Sequence, residues 1–192
     1  MLQMCESAIE PQNAMGGIIH SLPLQLTYEG DLDEEGILGN TRKQYTLFGT
    51  MEGGLRLVDA ANGVEQMTFV PSEILLSTTA QIALKPEQSN ATGLAHGVDA
   101  PWVADARYEA KATTVSEKTT TAMTASRMNV YGGLRMGGES YYGLDFLNPK
   151  DAKFLFRIGS NQPDFSRMGQ SWSKPVIANI KFQGKVQIGR AS

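Results

Sequence analysis

Gly54-Leu55-Arg56-Leu57-Val58-Asp59-Ala60-Ala61-Asn62-Gly63-Val64-Glu65-Gln66-Met67-Thr68-Phe69-Val70 is the stretch whose reading decides the fold. Two short runs of alternating character flank a turn that ends in Asn-Gly, a pair that tolerates the positive φ of a tight reversal. The reading is an antiparallel hairpin closed by Pro71, and it makes strands the first thing to look for in the rest of the chain.

Upstream, Tyr45 to Thr50 is another short alternating run. Gly30 to Asn40 is a loop in which Asp31, Asp33, Glu34 and Glu35 precede Gly36, the opening letters of a calcium-binding EF-hand loop. The twelfth position of that loop needs a bidentate Glu, but Arg42 stands there and no helical period flanks it, so 31–35 reads as a solvated acidic turn. Ile18, His20, Leu22, Leu24, Leu26 and Tyr28 take every second place, which predicts a strand with His20 on its inner face and Pro23 marking an edge or bulge. Met1 to Gly17 keeps no period and reads as an extended arm that a neighbour could order.

Downstream, Thr78-Thr79 and Ile82 favour a strand over a helix for Ile74 to Leu84. Lys85 to Pro101 is a long polar loop and the candidate boundary between halves, and its Asn90-Ala91-Thr92 sequon is read as coincidence. Trp102 to Ala112 alternates cleanly and predicts a strand with a small-residue inner face. Thr113 to Ser126, rich in Thr and Ala, suits an exposed strand or an arm laid against another backbone. Phe154 to Ile158 is a short apolar strand, Gly159 to Lys174 a loop, and Val176 to Ile188 one long amphipathic strand bent at Gly184.

Between these runs lies Tyr131-Gly132-Gly133-Leu134-Arg135-Met136-Gly137-Gly138-Glu139-Ser140-Tyr141-Tyr142-Gly143-Leu144-Asp145-Phe146, the densest mixture of glycines and rings in the chain. Bare backbone at such a place allows something to approach closely, and neighbouring rings cover the gap. Tyr131, Arg135, Glu139, Tyr141, Tyr142 and Trp172 are therefore the candidate interaction surface. The letters Gly53-Gly54-Leu55-Arg56 return as Gly132-Gly133-Leu134-Arg135, a faint sign of two related halves.

The 192 residues suffice for one domain with a sizeable core, and 17 basic against 20 acidic residues leave a formal charge of -3, which gives no global attraction for polyanions. A single cysteine, Cys5, excludes an internal disulfide framework and a cysteine zinc site. No signal-peptide pattern opens the sequence and no apolar run has the length of a membrane-spanning helix.

Chemistry finds little to work with. Of two histidines, His20 falls on a core face, and His96 becomes catalytic only if Asp99 or Asp105 folds back on it. The paired glycines lack the lysine and following helix of a phosphate loop, so no nucleotide or other cofactor is expected, nor a metal. Arg127, Arg135, Arg157 and Arg167 with intervening rings resemble a single-strand nucleic-acid groove in composition. Interleaved Glu139, Asp145, Asp151 and Asp164 suit ion pairing between subunits better.

The expectation is a mainly β domain over 18–192, an antiparallel β-sandwich or partly closed β-barrel of about eight to ten strands with an extended arm at 1–17 and long loops. Its expected role is that of a non-catalytic structural subunit of a large assembly, a virion, phage tail or extracellular filament, as a homo-oligomer or beside other subunits. A carbohydrate- or small-ligand-binding domain using 131–146, with Trp172 among its rings, is the alternative. A hydrolase with a pocket between sheets is the second.

Overall fold

The computed structural model describes residues 16–33, 35–77, 96–115, 118–182 and 185–191. The chain is mainly β, as expected, with an antiparallel sheet curled into a half-barrel. In order, the strands are β1 (Leu24–Leu32), β2 (Leu38–Gly49), β3 (Leu55–Asp59), β4 (Glu65–Phe69), β5 (Trp102–Val115), β6 (Lys118–Gly132), β7 (Ser140–Asp145), β8 (Lys153–Gly159), β9 (Val176–Phe182) and β10 (Lys185–Ala191). A single-turn helix, α1 (Ser72–Leu76), follows β4, and one 3-10 turn covers Pro163–Phe165.

β1 to β4 pair successively, and so do β5 to β8. The two meanders meet on β6. Because β5 runs along one edge of β6 from Val115↔Lys118 to Trp102↔Gly132, its other edge is shared end to end. β1 takes Thr121 to Thr124 and β7 takes Asn129 to Gly132. The Thr-rich ribbon thus finds the backbone it was expected to lie against within its own chain.

The meanders share a detail that the four-letter echo does not reveal. Asp59 ends β3 with its Oδ1 accepting from the Ala61 amide at 2.8 Å, and Asn62 Oδ1 accepts from the Val64 amide at 2.8 Å. At the end of β7, Asp145 Oδ1 accepts from the Leu147 amide at 2.8 Å and Asn148 Oδ1 from the Lys150 amide at 3.0 Å. Each short acceptor bonds backbone two residues on, so the pattern Asp-x-x-Asn builds the same double turn in both halves. The Gly-Gly-Leu-Arg letters fall in equivalent connections but out of step, for Leu55 opens β3 whereas Leu134 lies well before β7 begins at Ser140.

The core follows the alternation. Leu26 and Tyr28 point inward from β1, Tyr45 and Leu47 from β2, and Leu55 and Leu57 from β3, to meet Met128, Val130, Tyr142 and Leu144. Each such aliphatic side chain contributes about 1.5–3 kcal/mol of burial. Tyr28 meets Tyr45 edge-on at 4.9 Å and its hydroxyl donates to the Phe146 carbonyl, fastening β1 to the far end of β7.

Three expectations are corrected. The strand predicted from Ile18 begins only at Leu24, since Pro23 has no amide to offer a ladder, and Ile18, Ile19 and Leu22 stand exposed before it. His20 is therefore not on a core face. Ile74 lies in α1 rather than a strand, buried against Gly53 while Pro71 accepts the first helical hydrogen bonds; residues 78–84 of that expected strand lie outside the described residues. The long terminal strand is two, for Lys185 pairs with Phe182 and Ala191 with Val176 in an antiparallel hairpin. Residues 1–15 of the expected arm and 78–95, which hold the sequon and most of the proposed boundary, are likewise outside the described residues.

Candidate functional site

The glycine run is where four other segments press on the β6–β7 connection. A side chain at Gly132 would enter the ring of Trp102, one at Gly137 the backbone carbonyl of Gly97, and one at Gly138 the carboxylate of Glu73. Gly133 lies against Ser171, whose buried hydroxyl accepts from the Leu134 amide at 2.8 Å. Close approach of neighbouring atoms accounts for these glycines, since none of the four has a positive φ.

Arg135, in the middle of this run, has a φ of 57°, and it is the one non-glycine among the described residues with positive φ. That conformation costs on the order of 1 kcal/mol for a residue with a Cβ. It is held by its amide, which donates to the Ser171 carbonyl at 3.2 Å, and by its guanidinium, which donates to Asp99 Oδ2 at 3.1 Å and lies 4.7 Å from the centre of the Trp172 ring. Such a stacked cation contributes about 0.5–1 kcal/mol at an exposed site.

Asp99 is the hub. Its side chain is 2% exposed and carries two partners from distant segments, Arg135 and His20. The His20 amide donates to Oδ1 at 3.0 Å while Nδ1 lies 2.7 Å from Oδ2. An ionised carboxylate only accepts, so Nδ1 carries the proton and Nε2 is left as the outward nitrogen. The imidazole is 50% exposed. Neighbouring bonds donated by the Gly49 amide to the Ser21 hydroxyl oxygen and by the Met51 amide to the Gly17 carbonyl strap this N-terminal segment to the sheet.

A histidine oriented by a buried aspartate is half of a catalytic arrangement. No serine, threonine or cysteine among the described residues hydrogen-bonds His20 to complete it. His96, the other candidate, does not receive Asp99 at all. Its Nδ1 is buried without a partner. Asp105 instead pairs with Arg127 at 3.3 Å.

Of the six residues expected to form an interaction surface, Arg135 and Trp172 come together. Tyr131 and Tyr142 lie in the core, Tyr131 stacked on Phe156 and Tyr142 edge-on to Phe69. Alternation along β7 explains this: Tyr142 and Leu144 face inward and Tyr141 outward, its hydroxyl donating to the Ser173 carbonyl at 2.9 Å. Glu139 accepts from the Ser160 hydroxyl. Burial pushes the Tyr142 hydroxyl above the ordinary tyrosine range, with the nearby Glu73 adding to the shift. The arginines read as inter-subunit partners bond within the chain: Arg127 to Asp105, Arg135 to Asp99, and Arg157 to the Ser72 hydroxyl at 2.9 Å.

The acidic loop is a hairpin tip. Asp33 Oδ1 accepts from the Ile37 amide at 2.7 Å and Asp31 accepts from the Thr41 hydroxyl. No group of three metal-ligating side chains occurs among the described residues. Beside this tip is an open groove of about 440 Å³ between β1, β2 and β6. Its charges are already matched, Lys43 to Glu29 at 3.6 Å and Arg42 to the carbonyls of Gly39 and Leu38. No helix among the described residues is long and apolar enough to cross a membrane.

No family model and no curated protein matches the sequence. Among solved structures, the chain is similar to the C-terminal domain of PilY1 from Pseudomonas aeruginosa, with 24% identity and a TM-score of 0.44. The similarity covers 77% of this chain and 24% of that one, so the chain spans about a quarter of its length.

Proposed function

We propose that the chain is a structural subunit of a larger extracellular or virion assembly, acting through contact with other chains rather than catalysis. The observation that carries this reading is the edge strand β8. It pairs with β7 on one side and with no strand among the described residues on the other. Phe154 and Leu155 are 42% and 43% exposed there. Leu155 is the extra residue of a bulge between the pairs Gly143↔Phe156 and Leu144↔Phe154, and with Phe154 it gives the outer end of this edge exposed apolar surface, while at the other end Gln162 already bonds the Gly159 amide and the Arg157 carbonyl. Such an edge is what an incoming strand of another chain pairs with.

Light scattering coupled to size-exclusion chromatography tests the reading. The protein is expected to gain mass with concentration. Leu155→Lys, a change natural edges use to block pairing, is expected to return it to the monomer mass with the melting temperature unchanged. A wild-type chain that stays monomeric throughout would count against self-assembly.

A further inference from the structure

Arg135 is fixed more thoroughly than an arginine serving only as a surface cation requires. Its backbone is held in the left-handed region, one guanidinium nitrogen is bound to a buried carboxylate, and its Cζ lies over the Trp172 ring. The remaining donors, on Nε and Nη2, bond nothing among the described residues, and the side chain is 22% exposed. His20 sits on the same Asp99 oxygen. It presents Nε2 outward, an acceptor while the ring is neutral. Trp172, 48% exposed, adds a partly open aromatic face.

We infer that the Arg135–His20 edge binds a hydroxylated carboxylate such as a uronic acid residue. The ligand's carboxylate accepts from the free guanidinium donors, a hydroxyl donates to His20 Nε2, and its C–H face rests on Trp172. The planar fork of arginine matches a carboxylate better than an ammonium does. Asp99 binds both Arg135 and His20 and is nearly inaccessible, so its charge orients the two side chains from within the protein. Because the donors are immobilised before binding, little side-chain freedom is lost on association. The residues involved are distinct from those of the β8 edge, and the inference stands apart from the assembly reading.

The chain provides its own probe. Of two tryptophans, Trp102 is buried, so accessible emission comes from Trp172. Glucuronate is expected to give a saturable change in tryptophan emission and protection from acrylamide quenching at millimolar concentrations, while glucose gives neither and acetate binds at least tenfold more weakly. Arg135→Lys keeps a cation for Asp99 but removes the fork, and is expected to weaken glucuronate at least tenfold with an unchanged circular dichroism spectrum. His20→Phe, at a half-exposed position, is expected to weaken it severalfold. No saturable response to glucuronate, an equal response to glucose, or unaltered binding by a folded Arg135→Lys protein would each overturn the inference.

Discussion

At the scale of the residue, the decisive fact is that one buried carboxylate fastens three segments. Replacing Asp99 by Asn removes the charge that Arg135 and His20 share and leaves the guanidinium half-buried opposite a neutral amide. Breaking a buried pair by removing one partner costs about 3–5 kcal/mol, and the exposure of His20 places this case near the lower end, about 3 kcal/mol. Urea denaturation of Asp99→Asn is the measurement, and a loss below about 1 kcal/mol would show that the hub is dispensable. None of this was legible in the letters. His20 and Asp99 are 79 positions apart, and periodicity assigned His20 to a strand that Pro23 prevents. The glycine run was legible as a place of close approach, because missing side chains are visible in any sequence. Which backbone would approach was not, since Gly97 and Ser171 carry no mark of it.

At the scale of the element, alternation located strands well and failed at their ends and partners. The hairpin of β3 and β4 forms as read, with Gly63 at a φ of 74° and its amide donating to the Asp59 carbonyl at 2.9 Å. Nothing crowds a Cβ at Gly63, so Gly63→Ala isolates the backbone term. It is expected to cost about 1 kcal/mol, or roughly 2–4 °C of melting temperature in a chain of this size. An unchanged thermogram would mean that the turn relaxes at no cost. The closing strands show the opposite lesson. Val176 to Ile188 alternates without interruption, and period two is the same whether a chain continues or doubles back, so β9 and β10 read as a single strand. Likewise the arginines announce ion pairs but not whether the partner is within the chain.

At the scale of the whole molecule, the burial of tyrosines ties stability to alkaline pH. Desolvation raises both Tyr28 and Tyr142 above the ordinary value near 10, with the neighbouring Tyr45 and Asp145 adding to the effect at Tyr28. The folded chain therefore keeps protons that the unfolded chain loses, so their contribution to stability is whole below about pH 10 and declines as pH rises beyond it. Urea midpoints measured from pH 8 to 11 are expected to hold and then fall. Tyr28→Phe is expected to begin about 1 kcal/mol less stable, through the lost bond to Phe146, yet to fall less steeply above pH 10. Parallel curves for the two proteins would assign the decline to other groups.

The shared edge of β6 also sets the sequence of events during synthesis. β1 leaves the ribosome well before β6, for its second neighbour is residues 121–124, about ninety positions later in the chain. At about 5–20 residues per second, Glu29 to Leu32 waits on the order of ten seconds with one flank bare. Pairings so distant in sequence also close slowly once both strands exist. The interval is a window in which a chaperone, or the wrong strand, can reach β1 first.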